Sequence, residues 1–198
     1  MDKNIKDKHW NFHFLIEEFK KETDRAAVIL SASLIDETIT SLLKTYLVPI
    51  PNAKDDFFDG ANSALSTFSA KIDMCYRLGI ISSKFSRDLH LIRKIRNSFA
   101  HDVYGCDFEN GSVKSRITEL AKACSVMPVY EHFLEKKSKN VVEDTRGIFL
   151  FITSAIIFNF NLIIDKIRPL DANAIIEKEL LYEDGLKLIE KMNEKDKA

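Results

Sequence analysis

The longest uncharged segment of the chain runs from Gly147 to Ile164 and reads GIFLFITSAIIFNFNLII. It is almost long enough to cross a membrane, but four polar residues interrupt it and no second span accompanies it. They are Thr153, Ser154, Asn159 and Asn161. A helix that is apolar on all sides is normally a core or interface element. The segment therefore predicts the central helix of a soluble protein, or part of a dimer contact.

The rest of the chain also favours helices. Its 198 residues include only 6 glycines and 4 prolines, and no run of alternating β-branched residues lies between turn signals. Helical spacing of apolar residues predicts five earlier helices, at about residues 10–21, 23–47, 63–78, 83–101 and 112–124, and a charged helix after Pro169. We therefore predict an all-α fold, a single-domain multi-helix bundle over residues 1–198. Its core spans about 10–168, and a C-terminal helix and charged tail span about 171–198.

Local signals support two of the predicted boundaries. Gly79 is placed to end the third helix in a left-handed conformation, and Ser82 or Ser83 can cap the start of the fourth. In the second helix one apolar stripe is expected to face the core. Its members are Ala27, Leu30, Leu34, Ile35, Thr38 and Leu42.

Charge and cysteine content exclude several classes of protein. The 29 Lys and Arg nearly balance the 30 Asp and Glu, so the chain has no overall cationic footprint for nucleic acid. Cys75, Cys106 and Cys124 lack CxxC spacing, which argues against a disulfide framework and a zinc site. No cofactor or metal is expected. The charged start, MDKNIKDKHWNFHF, lacks the apolar run of a signal peptide, so we expect a cytoplasmic protein without a membrane span.

The segment LIRKIRNSFAHD, Leu91 to Asp102, combines a buried seam with a polar row. On a helix, the apolar residues Leu89, Ile92, Ile95 and Phe99 lie on one side, and Arg93, Asn97 and His101 follow one another on a different stripe. Within this segment an arginine, an asparagine and a histidine lie within six residues, Arg96 to His101, and these side chains suit metal-independent RNA cleavage. The histidine can move a proton, the arginine can hold a phosphate and the asparagine can orient either. The candidate catalytic residues are Arg96, Asn97 and His101.

A structural interpretation of the same residues stays open. A histidine at a helix C-terminus is favoured by the helix dipole, Asp102 can be its ordinary partner, and the basic residues can form a solvated face. Arg96 and His101 lie roughly 140° apart on an ideal helix, so a symmetric homodimer is predicted to bring them together.

Further binding residues are proposed around this segment. Asp24 and Arg25 begin the long second helix, where they either complement the helix N-terminus or face the Arg96 and His101 cluster. The candidate binding residues are Arg93, Lys94, Asp102, Asp24 and Arg25.

Parts of the chain resemble two known families. The string RNSFAH, Arg96 to His101, resembles the Arg-x4-6-His signature of the HEPN superfamily, which implies a metal-independent endoribonuclease with Arg96, Asn97 and His101 in its site. Three strings between Phe14 and Asp165 resemble the mannitol operon repressor family of bacterial regulators. They are FKKETDRAAVILSASLIDETITSLL, LSTFSAKIDMCYRLGIIS and DLHLIRKIRNSFAHD. That resemblance implies an all-helical regulator that lacks a helix-turn-helix and acts through protein partners.

These resemblances lead to two functional hypotheses. The first is a transcriptional regulator of the mannitol operon repressor type, a homodimer that associates with a protein partner and does not read DNA sequence directly. The second is an endoribonuclease of a toxin or defence system, whose substrate would be RNA.

Overall fold

The computed structural model describes residues 12–50, 54–102, 105–124, 144–171 and 187. Over these residues it contains six α-helices and no strand, which confirms the predicted all-α bundle. The helices are α1 Phe12–Lys21, α2 Asp24–Tyr46, α3 Phe68–Arg77, α4 Ser83–His101, α5 Gly111–Cys124 and α6 Thr145–Ile164. Trp10, the connection at 125–143 and the predicted C-terminal helix lie outside the described residues, apart from Lys187.

Four helices begin with the same capping contact. A Ser, Thr or Asp side chain before the first turn accepts a hydrogen bond from the amide three residues further on, which satisfies one otherwise free donor. The pairs are Thr23 with Ala26, Thr67 with Ala70, Ser82 with Phe85, and Asp144 with Gly147. The predicted cap at Ser82 is therefore confirmed. Gly79 follows α3 with a φ of 71°, as predicted for a left-handed helix end.

The start of α3 differs from the sequence prediction. The helix begins at Phe68 and not at Ser63, because Thr67 is extended and caps it. The residues before it form turns in which the Ser63 amide donates to the Gly60 carbonyl and the Ser66 amide donates to the Ser63 carbonyl. This shift places a helix N-terminus beside α4, which matters for the site described below.

The predicted core segments meet in one cluster. It contains Ile72, Ile92, Ile95, Phe99 and most of α6, and Phe68 packs against it half-buried. Leu30 departs from prediction, since 45% of it is exposed. The inward face of α2 includes Val28 and Ala32, and Leu30 is two positions from each, about 200° around the helix.

Helix α6 is the predicted central element and packs against α1, α2 and α5. The expectation of a single segment long enough to cross a membrane is wrong, because α2 as well as α6 meets the criteria of length and composition. Of their apolar windows, 50% and 61% are buried inside the protein, as in core helices. The buried polar residues of α6 differ, since Thr153 is satisfied within the helix and the Ser154 hydroxyl has no partner among the described residues. Thr153 is fully buried and its hydroxyl donates to the Phe149 carbonyl at 2.9 Å.

Helices α2 and α6 run parallel, because contacts join both their starts and their ends. At the start, Arg146 Nε donates to Asp24 Oδ1 at 2.9 Å. Beyond the end, the Leu170 amide donates to the Tyr46 carbonyl at 2.8 Å. The Arg146 guanidinium also donates to three main-chain carbonyls where α1 ends. The acceptors are Phe19 and Lys20, both at 3.3 Å, and Glu22 at 2.8 Å.

We expect Arg146→Met to lower the free energy of unfolding by about 2 kcal/mol, because it removes the donor that a carboxylate and three carbonyls share. Urea denaturation followed by circular dichroism measures this. Lys20→Met is the matched control, since Lys20 has only an exposed ion pair with Glu17 and its loss should cost less than about 0.5 kcal/mol. Equal losses in the two variants would contradict the role of Arg146.

Candidate functional site

Helix α4 has the two faces that its sequence predicts. Leu89, Ile92, Ile95 and Phe99 are fully buried in the core. On the other side, Arg93 and Asn97 are half-buried, while Arg96 and His101 are exposed. The polar residues therefore lie where they can meet a ligand or a partner.

Arg93, Arg96 and Asn97 line one cavity of about 320 Å³. It lies between α4, the middle of α2 and the N-terminus of α3. The other lining residues are mostly small and polar. They are Ala32, Ser33, Asp36, Ser66, Thr67, Phe68 and Ser69.

The charges around the cavity do not cancel. Asp36 is the single carboxylate among the lining residues, and its Oδ1 accepts a hydrogen bond from Lys71 Nζ at 2.8 Å. Lys71 is only 8% exposed, while the Asp36 side chain is 31% exposed, so the pair is partly shielded from solvent. The charge of Asp36 is therefore balanced by Lys71, and the guanidinium groups of Arg93 and Arg96 leave the cavity with a net positive charge.

Neither arginine forms an ion pair with a described carboxylate. Arg96 Nη1 donates to Asn97 Oδ1 at 3.1 Å, which fixes the amide beside the guanidinium. Arg93 Nε is buried, and no described residue accepts a hydrogen bond from it. A buried donor without an acceptor is uncommon in folded proteins, which makes Arg93 the most unusual member of the site.

His101 lies apart from the cavity. It occupies the last turn of α4, is exposed, and does not line the cavity. Its side chain makes no hydrogen bond or ion pair with the described residues. The structure thus brings Arg96 and Asn97 together in one cavity and leaves His101 outside it. Whether the three residues cleave RNA stays a prediction.

The remaining predicted binding residues have different surroundings. Lys94 is exposed and does not line the cavity. Arg25 donates to the main-chain carbonyl of Asp102, so the start of α2 reaches the end of α4, the position anticipated for either Asp24 or Arg25. Asp24 instead pairs with Arg146. A binding role for these residues stays a prediction.

The thiols near this region are poor nucleophiles. Burial raises the pKa of Cys75 to about 12. Burial also raises the pKa of Cys106, with smaller contributions from the charges of Asp102 and Asp107. Because the thiolate is the reactive form, neither side chain offers a nucleophile near neutral pH. No group of three His, Cys, Asp or Glu residues within the described ranges could hold a metal ion.

Sequence reasoning missed the half of the cavity that lies outside α4. Asp36 pairs with Lys71 of α3, a contact between residues 35 positions apart that helical spacing does not indicate. The serines at 33, 66 and 69 carried no recognisable motif. The useful signal was Thr67, whose hydroxyl caps α3 and so marks the helix N-terminus that borders the cavity.

Comparisons with known proteins identify a similar fold. No protein-family model matches the chain, and no curated protein matches it. The chain is similar to a solved structure, the MtlR-HPr complex from Escherichia coli, with a TM-score of 0.54 and 17% identity. The match covers 75% of this chain and 97% of that chain. At this identity the likeness concerns the fold alone.

We expect Arg96→Ala and His101→Ala each to lower the free energy of unfolding by about 1 kcal/mol or less, because both side chains are exposed and truncation removes at most one cap or dipole contact. Phe99→Ala is the reference for a core residue, since Phe99 is fully buried and its loss should cost about 3–5 kcal/mol. Thermal melts measure all three variants. Losses for Arg96 or His101 that match that of Phe99 would show that the motif is structural.

Proposed function

We propose that the protein is a bacterial transcriptional regulator of the mannitol operon repressor type that acts through association with another protein. The observation that carries the proposal is the fold likeness to MtlR, which has been solved in a complex with HPr. The three strings that resemble the mannitol operon repressor family support it independently, because they come from the sequence alone. Such a regulator would work in the cytoplasm.

A surface suited to protein association supports this proposal. Several large apolar side chains are exposed near one end of the bundle, where α2 and α6 both finish. We name this surface the apolar end. Its members are Val48, Ile50, Phe57, Leu162, Ile163 and Leu170. Several exposed apolar side chains at one end of a protein favour an interaction site there.

Contacts around the C-terminus of α2 place Leu170 and the loop that contains Phe57 near that helix end. The Leu170 amide donates to the Tyr46 carbonyl, which places Leu170 beside the segment that contains Val48 and Ile50. The loop that contains Phe57 is held near the same helix end, because Lys44 Nζ lies 3.7 Å from Asp59 Oδ1 and 5.1 Å from the centre of the Phe58 ring.

A direct role in reading DNA is not part of the proposal. The α3–α4 junction at Gly79 is the nearest approach to a helix-turn-helix in the sequence. Ile81 after this glycine is buried in the core, and the Ile80 and Ile81 amides both donate to the Cys75 carbonyl. These contacts are those of a packing turn, and they support regulation through a protein.

The endoribonuclease hypothesis stays a prediction from the motif. Arg96 and Asn97 border a cavity, but the histidine that would carry the proton is not among its lining residues. No geometric observation therefore favours RNA cleavage over protein association.

We expect the purified protein to bind HPr, measured by isothermal titration calorimetry, and Leu162→Ser to weaken binding by about tenfold or more, as loss of a central apolar contact does at an interface. Leu162 is 44% exposed and belongs to the apolar end. Leu30→Ser is the matched control, because Leu30 is 45% exposed but lies sixteen residues before Tyr46, about 24 Å along α2.

The two outcomes of this titration test separate parts of the proposal. If Leu30→Ser weakens HPr binding as much as Leu162→Ser does, the apolar end is not the docking surface. Absence of HPr binding by the unmodified protein would overturn HPr as its partner.

The predicted homodimer is tested separately. If two copies of α4 meet near a two-fold axis, cysteines introduced at Lys94, which is exposed, should crosslink between subunits. Light scattering of the unmodified protein should give twice the chain mass of 22.7 kDa. A monomer at micromolar concentration, or a dimer without this crosslink, would remove the idea of a site shared between subunits.

A further inference from the structure

We infer that the cavity beside α4 binds a phosphate group, either as inorganic phosphate or as the phosphate of a small metabolite. This inference goes beyond the proposed function and does not depend on it, because it rests on the residues that line the cavity. Three features support it: the unbalanced charge of two arginines, the unused donors around them, and the size of the cavity.

Charge is the first requirement for an anion site. Arg93 and Arg96 are both lining residues, and Asp36, the carboxylate among them, is paired with Lys71 at 2.8 Å. Without that pair, Asp36 would attract a guanidinium and lower the positive potential. Arginine suits phosphate better than lysine does, because its planar fork of donors matches two phosphate oxygens at once.

Unused hydrogen-bond donors are the second requirement. Arg93 Nε is buried and has no acceptor among the described residues. The hydroxyl groups of Ser33, Ser66 and Ser69 line the same cavity and make no hydrogen bond with the described part of the chain. Asn97, whose Oδ1 is occupied by Arg96, is left with its amide NH₂ as a donor.

The N-terminus of α3 adds main-chain donors to this set. The first amides of any helix have no partner within the helix. Thr67 caps the Ala70 amide, and no described residue accepts a hydrogen bond from the amides of Phe68 and Ser69. Both residues line the cavity, and the partial positive charge of a helix N-terminus favours an anion there.

The volume of the cavity favours a small ligand over a polymer. About 320 Å³ is near the lower end of the range of roughly 300–1,000 Å³ that is usual for small-molecule sites. A nucleic-acid chain would need an extended basic groove, whereas this protein has a net charge of −1, and Arg93 and Arg96 lie in one concave pocket. A single phosphate group matches the donors that converge here.

The test is a titration of ¹⁵N-labelled full-length protein with sodium phosphate, followed by amide NMR shifts. Sodium chloride at equal ionic strength is the control for salt. We expect saturable shifts of the Phe68 and Ser69 amides with phosphate and none with chloride. A parallel titration with glucose 6-phosphate distinguishes the two sources of the group. Tighter binding of the ester assigns a metabolite, and equal binding assigns inorganic phosphate.

Variants that remove a positive or a negative charge from the cavity extend the test. Arg93→Gln and Arg96→Gln should each weaken phosphate binding about tenfold or more, since each removes a charge-assisted contact. Lys84→Gln is the matched control and should leave binding unchanged, because Lys84 is an exposed cationic residue of α4 that does not line the cavity. Asp36→Asn should strengthen binding, because it removes the negative charge and frees Lys71. Circular dichroism identifies any variant that is unfolded.

Several results would overturn the inference. If Lys84→Gln weakens phosphate binding as much as the two cavity variants do, the effect is one of general surface charge. Shifts confined to residues far from α3, or no saturable shift at all, would exclude the cavity. Binding of an RNA oligonucleotide without binding of phosphate or the ester would assign the arginines to RNA instead. HPr titration remains an independent measurement, so either proposal can fail alone.

Discussion

The arrangement of the bundle depends on Arg146. This single guanidinium pairs with Asp24 at the start of α2 and donates to three carbonyls where α1 ends, while its own backbone begins α6. Three helix ends therefore meet at one side chain. Because the C-terminal carbonyls of a helix lack intrahelical donors, the contact satisfies α1 and orients two apolar helices at once. The parallel course of α2 and α6 follows from it.

The candidate site depends on this framework through α2. Its inward residues pack on α6, and a neighbouring face presents Ser33 and Asp36 to the start of α3 and to α4. The Asp36–Lys71 pair then sets the distance between α2 and α3, and Arg25 holds the end of α4 through the Asp102 carbonyl. Neighbouring residues of α2 thus contribute to the core packing, to the contact with the end of α4 and to the charge of the site.

Much of the fold could be predicted from the sequence, because it follows from local chemistry. The apolar run of α6, the caps at Ser82 and Gly79 and the buried stripe of α4 each depend on residues a few positions apart. The cavity could not be predicted, because it needs residues that are distant along the chain. Leu30 shows the same limit, since helical spacing does not decide which of two apolar faces is covered.

Because the cavity lies at the start of α3, its main-chain donors are in place only when the protein is folded. The amides of Phe68 and Ser69 point along a helix axis only when that helix exists, and Phe68 also packs against the core. An anion held there would bind the native state and not the unfolded chain, so it would add to stability by mass action. The melting temperature of the bundle would then rise with the concentration of its ligand.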